Sequence, residues 1–227
     1  MEPYKREFIE FMVRCEVLTF GDFTTKSGRE TPYFVNTGKY RSGSQVARLG
    51  EFYADAIEGA LAGRYDVLFG PAYKGIPLCV ATAAALSRSG ARDFGYLFDR
   101  KEAKDHGDAG RFVGRSPGKG DRLVLVDDVI TDGQTKYDAV AKLREAFEAP
   151  IDALVIAFNR MERDAQGRDA PREFEQRTGI PVRALLSLAE LQEALDGDLM
   201  ATLGGDAAHP QLLDRIRDYR AQYGVGA

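Results

Sequence analysis

The sequence predicts an α/β protein in which helices flank a central, mostly parallel β-sheet. Short apolar runs without two-residue alternation, such as residues 123–126, are typical of strands that are buried on both faces. These runs alternate along the chain with longer segments of helical periodicity, which favours parallel strands with helices on both sides. Hydrophobic residues make up 44% of the 227 residues, which is enough for a sizeable core.

The predicted elements follow one another in a simple order. An amphipathic helix comes first, with Phe8, Phe11, Met12 and Cys15 on its apolar face. Glycines and prolines in residues 17–40 then indicate short strands and turns. The remaining predicted helices cover residues 42–61, 76–87, 134–147, 187–195 and 212–223. The remaining predicted strands cover residues 66–69, 94–98, 122–126, 151–158 and 182–186.

Two segments show no periodic pattern. Residues 99–114 contain almost no apolar side chains, and long loops of this kind are usually functional or disordered. Residues 197–208 are interpreted as a flexible connector. Between these segments, Ser187 and Glu190 have the spacing of a capping box, which marks the start of a helix.

Charge and cysteine content exclude several classes of protein. The net charge is −4 and no basic stripe is visible, which argues against a nucleic-acid partner. No apolar stretch approaches the ~20 residues of a membrane span. Cys15 and Cys79 are far apart and lack metal-ligand spacing, so without a signal peptide they indicate reduced thiols in a cytoplasmic protein.

The most informative stretch is residues 123–135, where an apolar run ends in Asp127 and Asp128. Open α/β sheets bind ligands at the carboxyl ends of their strands. Adjacent carboxylates repel each other, so the pair needs hydroxyl donors, a metal or solvent. The two vicinal hydroxyls of a ribose would serve both acids. The alternative is that the acids only cap a turn, but a doubled acid before a Thr-rich turn is rarely only a cap.

The loop after the acid pair has the composition of an anion site. Thr131, Gly133 and Thr135 lead into a helical pattern, and free N–H groups at a helix start attract anions. Gly133 would let the backbone approach the anion closely. Asp132 interrupts this pattern with a negative charge, so we expect its carboxylate to point outward.

This stretch resembles the 5-phosphoribosyl-1-pyrophosphate (PRPP) signature of the phosphoribosyltransferases. Together with residues 20–36, 68–77 and 100–107, it is similar to the orotate phosphoribosyltransferase family over nearly the whole chain. The resemblance implies the type I phosphoribosyltransferase fold in a single domain, residues 1–227. A hood would be formed mainly by residues 1–40, and a flexible catalytic loop by residues 101–114.

The resemblance also implies a reaction and its participants. The 5-phosphoribosyl group of PRPP would pass to orotate, giving orotidine 5′-monophosphate and pyrophosphate, in de novo pyrimidine synthesis. Mg²⁺ would be the cofactor, held mainly by PRPP and without a direct protein ligand. The protein would be a homodimer, because loop residues act in the active site of the neighbouring subunit.

Site residues are implied where this sequence matches the motifs of the family. The implied catalytic residues are Lys26, Lys104, His106, Asp127 and Asp128. The residues implied for PRPP are Lys26, Tyr73, Lys74, Arg100, Lys101, Lys104, His106, Asp127, Asp128, Val129, Ile130, Thr131, Asp132, Gly133, Gln134 and Thr135. Those implied for orotate are Phe34, Val35, Thr131 and Arg160.

Several points stay open at the level of sequence. Val35 departs from the aromatic residue often found at its position, so backbone contacts would survive there and a side-chain stack would not. His106 could donate to pyrophosphate or to orotate, while His209 is expected to be exposed and without a role. The alternatives are a PRPP-dependent transferase for a purine or uracil, and a PRPP-sensing regulator without chemistry. The hood and Arg160 favour orotate, and Lys104 and His106 favour an enzyme.

Overall fold

The computed structural model describes residues 1–25, 28–61, 65–88, 92–100, 110–131, 133–164, 166–204 and 211–225. The chain forms two compact units. The first contains residues 1–42, 158–169 and 186–227, and the second contains residues 43–157 and 170–185. Two such units can belong to one folding domain, so the single-domain expectation stays a prediction.

Helices and strands alternate as the sequence predicts. The helices are α1 (Pro3–Arg14), α2 (Gly43–Leu61), α3 (Gly75–Arg88), α4 (Gln134–Ala146), α5 (Ala170–Thr178), α6 (Leu188–Asp196), α7 (Leu199–Leu203) and α8 (Leu212–Tyr223). The strands are β1 (Leu18–Thr24), β2 (Glu30–Val35), β3 (Val67–Gly70), β4 (Gly95–Asp99), β5 (Phe112–Gly114), β6 (Leu123–Asp127), β7 (Ile151–Asn159) and β8 (Val182–Ser187). The predicted bounds of the main helices and strands are confirmed to within a residue or two.

A six-stranded sheet in the order β5-β4-β3-β6-β7-β8 forms the core of the second unit. β3 pairs in parallel with β4 and with β6, and β6 pairs in parallel with β7. β5 pairs antiparallel with β4. The predicted class, a mostly parallel sheet flanked by helices, is confirmed.

Burial explains why the central strands carry unbroken apolar runs. All residues of β3 and β6 are buried, as expected for strands covered by helices on both faces. The apolar core around them combines strand residues with the inner face of α4, namely Val67, Phe69, Leu97, Leu123, Leu125, Ala139, Val140, Leu143, Leu154 and Ile156. This packing fixes the ends of β3, β4 and β6, where polar residues begin.

The first unit is built around the hairpin of β1 and β2, which pair antiparallel. α1 buries the apolar face that its periodicity predicts, including Phe8, Phe11 and Met12. The predicted capping box at α6 is confirmed, since the Ser187 hydroxyl accepts from the Glu190 N–H and the Glu190 carboxylate accepts from the Ser187 N–H.

Three elements differ from the sequence prediction. Residues 112–114, which the prediction places at the end of a loop, form β5. Residues 199–203, which it places in a connector, form α7, and α5 was not predicted at all. β5 is short, and α5 and α7 each bury a single side chain, Phe174 and Leu199. The sequence therefore shows no periodic apolar pattern in these segments.

In the part of the chain that the structure describes, no helix is long and apolar enough to cross a membrane.

Candidate active site

The strand order identifies one edge of the sheet as the place for a ligand. From β3 the chain passes through α3 to β4 on one side, whereas β6 pairs with β3 on the other side. Open α/β sheets bind ligands at such a reversal, outside the carboxyl ends of the strands. The turn of residues 71–74 follows β3, and the acid pair ends β6, so both motifs meet at this edge.

Asp127 and Asp128 are buried at this edge, with 4% and 6% of their surface exposed. Oδ1 of Asp127 accepts a hydrogen bond of 2.9 Å from the N–H of Asp128. Oδ1 of Asp128 accepts one of 2.8 Å from the N–H of Val129. Each carboxylate is therefore fixed to the backbone by one oxygen, while its second oxygen is directed to another partner.

Those second partners are lysines. Nζ of Lys74 donates to Oδ2 of Asp128 over 2.7 Å. Nζ of Lys136, in the first turn of α4, lies 2.6 Å from Oδ2 of Asp127. The sequence predicts that hydroxyl donors, a metal or solvent relieve the repulsion between the acids, and in the structure two ammonium groups also have this effect. Lys136 was not predicted because it lies just after the motif, which ends at Thr135. Nothing in the sequence indicates that its side chain is buried.

Burial and charge act in opposite directions on Asp127. Burial raises the pKa of Asp127 most strongly, Lys136 lowers it, and the charge of Asp128 raises it again, so this pKa lies above its usual value. Tyr53 of α2 adds a fixed contact, since its hydroxyl donates to the carbonyl oxygen of Asp127 over 2.7 Å.

The turn after β3 is held from β4. Oδ1 of Asp99 accepts a hydrogen bond of 2.9 Å from the N–H of Ala72, and Oδ2 accepts one of 2.5 Å from Lys142 of α4. Asp99 is buried, whereas Tyr73 is 65% exposed at the tip of the turn. The turn therefore presents Tyr73 and Lys74 at the ligand edge from an anchored backbone. Asp99 was not predicted, because nothing in the sequence relates it to Ala72.

The loop after the acid pair leads into the N-terminus of α4. Gly133 has a φ of 76° and is the N-cap residue of α4, without a side-chain cap. Thr131, Gln134 and Thr135 are exposed, whereas Ile130 packs against the apolar core. The positive end of this helix, together with exposed hydroxyls, has the chemistry of an anion site, as the sequence predicts.

Arg100 follows β4 directly and is half-buried. Its backbone N–H donates to the carbonyl oxygen of Arg111 over 2.7 Å. Nε of its guanidinium is buried and has no hydrogen-bond partner within the described ranges. A buried guanidinium N–H without a partner is costly, and an anion would satisfy it.

A second guanidinium lies in the first unit. Arg160 follows β7, and its Nε donates to Oε1 of Glu162 over 2.8 Å. Its Nη2 is buried and has no hydrogen-bond partner among the residues that the structure describes. The guanidinium carbon lies 5.4 Å from the centre of the Tyr33 ring. One edge of Arg160 is therefore held in place, while a buried N–H group remains for an acceptor.

Tyr33 and Glu162 were not predicted as site residues. The Tyr33 hydroxyl donates to the same Oε1 of Glu162 over 2.9 Å. Burial and the charge of Glu162 raise the pKa of Tyr33 well above its usual value, so the phenol stays protonated and donates. Glu162 therefore receives two donors and fixes the guanidinium. The sequence places Glu162 two residues after Arg160, and this short spacing could have indicated the contact between them.

The other two residues predicted for orotate lie on β2. Phe34 is 37% exposed, and its ring stacks on Phe23 with centroids 5.6 Å apart. Side chains alternate along a strand, so Phe34 is on the opposite face of β2 from Tyr33 and from the guanidinium over it. Val35 is half-buried. The structure thus brings Arg160 together with Tyr33, but it does not bring the Phe34 ring to that face.

Six residues that the sequence prediction names lie outside the described residues, namely Lys26, Lys101, Lys104, His106, Asp132 and His209.

Comparison with known proteins gives one consistent result. The model of the phosphoribosyl transferase domain matches residues 38–171. Orotate phosphoribosyltransferase of Clostridium beijerinckii is 46% identical, over 99% of this chain and 100% of its own. That of Nitrosococcus oceani is 46% identical, over 99% and 97% of the two chains. The crystal structure of orotate phosphoribosyltransferase of Francisella tularensis is 35% identical with a TM-score of 0.82, covering 96% and 100% of the two chains. The chain therefore belongs to the orotate phosphoribosyltransferase family.

Proposed function

We propose that this protein transfers the 5-phosphoribosyl group of PRPP to orotate. The products are orotidine 5′-monophosphate and pyrophosphate, and the reaction belongs to de novo pyrimidine synthesis. The observation that carries the proposal is the acid pair at the end of β6, with Lys74 on one side and the N-terminus of α4 following it. Membership of the family supports the same reaction.

The PRPP-binding role belongs to the second unit. Asp127 and Asp128 would accept from the ribose hydroxyls, and the loop Val129–Thr135 would hold the 5-phosphate at the start of α4. Tyr73 and Lys74 would bind pyrophosphate, together with Nε of Arg100, which has no hydrogen-bond partner among the described residues. Lys26, Lys101, Lys104 and His106 are proposed to add positive charge and a proton donor from the hood and loop.

The orotate-binding role is proposed for Arg160, assisted by Thr131 and by the β2 segment of Phe34 and Val35. Orotate is a pyrimidine that carries a carboxylate, and a guanidinium pairs a carboxylate through parallel N–H groups. The buried Nη2 of Arg160 has no hydrogen-bond partner in the described part of the chain, which fits this use. At β2 we propose that backbone groups bind orotate, since the Phe34 ring is on the opposite face from Tyr33.

The chemistry needs no covalent intermediate with the protein. A ring nitrogen of orotate forms a bond to the anomeric carbon of PRPP and gives up its proton to the pyrophosphate, whose bond to that carbon breaks. Positive charge develops on the ribose ring, as in other glycosyl displacements. The two carboxylates beside the ribose stabilise that charge, while the lysines stabilise the departing pyrophosphate. Closure of the part of the 101–114 loop that precedes β5 would exclude water, which could otherwise hydrolyse PRPP.

Magnesium is proposed as the cofactor, bound mainly by PRPP oxygens. Asp127 and Asp128 fit this arrangement, since each carboxylate is bound to a backbone N–H and to a lysine. Within the described ranges, no group of three or more His, Cys, Asp or Glu side chains could hold a metal ion. When bound, magnesium would neutralise charge on the leaving pyrophosphate.

We further propose a cytoplasmic homodimer with shared active sites. Cys15 and Cys79 are buried free thiols, which suits a reducing compartment. Lys104 and His106 would complete the site of the neighbouring subunit.

Pyrophosphate release tests the proposed function directly. The protein is incubated with PRPP and magnesium, and orotate, uracil, hypoxanthine or adenine is supplied separately. We expect release with orotate alone, together with loss of orotate absorbance. Release with another base would support the proposed PRPP site but contradict the proposed role of Arg160. PRPP binding without release for any base would favour a regulator instead.

A further inference from the structure

The two lysines at the acid pair differ greatly in burial. Only 11% of the Lys136 side chain is exposed, against 62% of the Lys74 side chain. Their distances to the acids are similar, 2.6 Å from Lys136 to Asp127 and 2.7 Å from Lys74 to Asp128. Lys136 is therefore enclosed by protein, whereas the Lys74 side chain is mostly exposed on the turn after β3.

Substrate binding makes this difference important. Under the proposed function, Lys74 binds pyrophosphate, and its ammonium must then turn away from Asp128. Asp128 then loses the ammonium group of Lys74 at the moment when more negative charge arrives with PRPP. Like charges in a partly buried site repel strongly, and one of two close carboxylates then takes up a proton. A protonated acid would stabilise the developing positive charge on the ribose less well.

We propose that Lys136 is a positioning residue for the reaction, acting as the fixed counter-ion that keeps Asp127 charged and in place while Lys74 moves from Asp128 to pyrophosphate. Lys136 does not itself touch the substrate and acts through Asp127. The inference rests on the proposed function, because that function supplies the second partner of Lys74.

The surroundings of Asp127 define what removal of Lys136 would do. The ionisable groups that the structure records there are Asp128, its partner Lys74, Lys136 of α4, and Tyr53 of α2. Tyr53 donates to the carbonyl oxygen of Asp127 and not to its carboxylate. Lys136 lowers the pKa of Asp127 against the larger effect of burial, so its loss should raise that pKa further.

The test compares Lys136→Met with Lys5→Met. Lys5 is a matched control, because its side chain is 12% exposed, it pairs with Glu190, and it is not among the residues proposed to bind PRPP or orotate. The measurement is kcat/KM for PRPP as a function of pH. In Lys136→Met the acid limb should move upward by about 1–3 pH units, and the loss of activity should shrink as pH rises. Lys136→Arg should restore most of the activity, and Lys5→Met should leave the limb in place.

Urea unfolding provides a readout that is independent of catalysis. Asp127 ionises near pH 4 in the unfolded chain but at higher pH in the folded protein, so its ionisation costs folded-state stability as pH rises. Without Lys136 that cost grows and extends to higher pH. The urea midpoint of Lys136→Met should therefore fall further below wild type as pH increases, which is opposite to the trend in activity. Adding Asp127→Asn should abolish this pH dependence.

The outcomes separate the two proposals. Wild type that is inactive with orotate contradicts the proposed function. Wild type that is active, with an unshifted acid limb in Lys136→Met, overturns the role of Lys136 alone, as does a midpoint difference that does not vary with pH. If Lys136→Met does not fold, the folding of the double variant Lys136→Met/Asp127→Asn is measured instead. It should regain a folded state, and failure to do so overturns the proposal.

Discussion

At the scale of single residues, neighbouring side chains hold the guanidinium of Arg160, which we propose as the orotate-binding group. Glu162 fixes the guanidinium through Nε, and the Tyr33 ring lies against it at 5.4 Å. The buried Nη2 has no hydrogen-bond partner among the described residues, so it has lost water without gaining an acceptor. Such a group is costly when unpaired and favours a ligand that carries a carboxylate.

Replacement of Arg160 by lysine should weaken orotate binding specifically. Lysine keeps the charge but lacks the planar pair of N–H groups. We expect the KM for orotate to rise by about 10- to 100-fold, as for the loss of a charged hydrogen bond. The KM for PRPP should change little, and steady-state kinetics with each substrate varied in turn measures both.

Arg168→Lys is the matched control for this prediction. Arg168 lies eight residues further along, on the surface, and pairs with Asp164 over 2.7 Å. Its replacement should leave both KM values near wild type. Equal rises in the two KM values for Arg160→Lys would contradict a specific role in orotate binding.

The residues predicted from sequence are those that lie within contiguous motifs. Asp127, Asp128, Lys74 and Arg160 follow strands at recognisable places, and the structure puts each of them at a strand end. Lys136, Asp99 and Glu162 were missed, because their roles depend on contacts that only the folded chain creates. Asp99, for example, meets Ala72, which is 27 positions away in the chain.

At the scale of elements, the turn between β3 and α3 depends on close packing of backbone on backbone. A Cβ atom at Gly70 would lie 2.0 Å from the carbonyl oxygen of Gly75, which is far inside contact distance. The absence of a side chain at residue 70 therefore allows the close backbone packing of the turn that presents Tyr73 and Lys74.

Gly70→Ala should displace this turn and destabilise the protein. Forcing an extra methyl group into a packed site typically costs about 1–3 kcal/mol. We expect the urea midpoint to fall and the KM for PRPP to rise, because Lys74 shifts with the turn. The control is Gly59→Ala in α2, where an added Cβ meets nothing within 4 Å. Alanine there should stabilise the helix by about 0.5–1 kcal/mol. Equal midpoints for the two variants would contradict the packing argument.

Elements with a clear apolar pattern were predicted well, and those without one were not. α2 and β6 carry clear apolar patterns over their whole length, so burial in the sheet or against it could be inferred. β5 has three residues at the edge of the sheet and α7 has five, too few for a period to emerge. Their formation depends on a neighbour, β4 in the case of β5.

At the scale of the whole molecule, the proposed homodimer predicts that two inactive variants regain activity when their subunits are mixed. Lys104→Ala and Asp128→Asn subunits should each be inactive as pure dimers. Mixed in equal amounts with free exchange, half of the dimers are hybrids with one intact site, so about a quarter of wild-type activity should return by the symmetry of a two-fold dimer. The measurement is activity before and after mixing.

The control for mixing is subunit exchange itself, followed with differently tagged chains. Full exchange without recovery of activity would count against a shared site. Sequence alone could suggest the dimer only through the resemblance, since subunit association depends on surfaces that a chain pattern does not reveal.

The two lysines of α4 have a consequence for how the protein fluctuates. Lys136 reaches Asp127 at the end of β6, and Lys142 reaches Asp99 at the end of β4, which in turn holds the N–H of Ala72. A local opening of this one helix would release Asp127 and the turn of residues 71–74 together. We therefore expect the proposed PRPP site to be lost as a whole and not to persist in part.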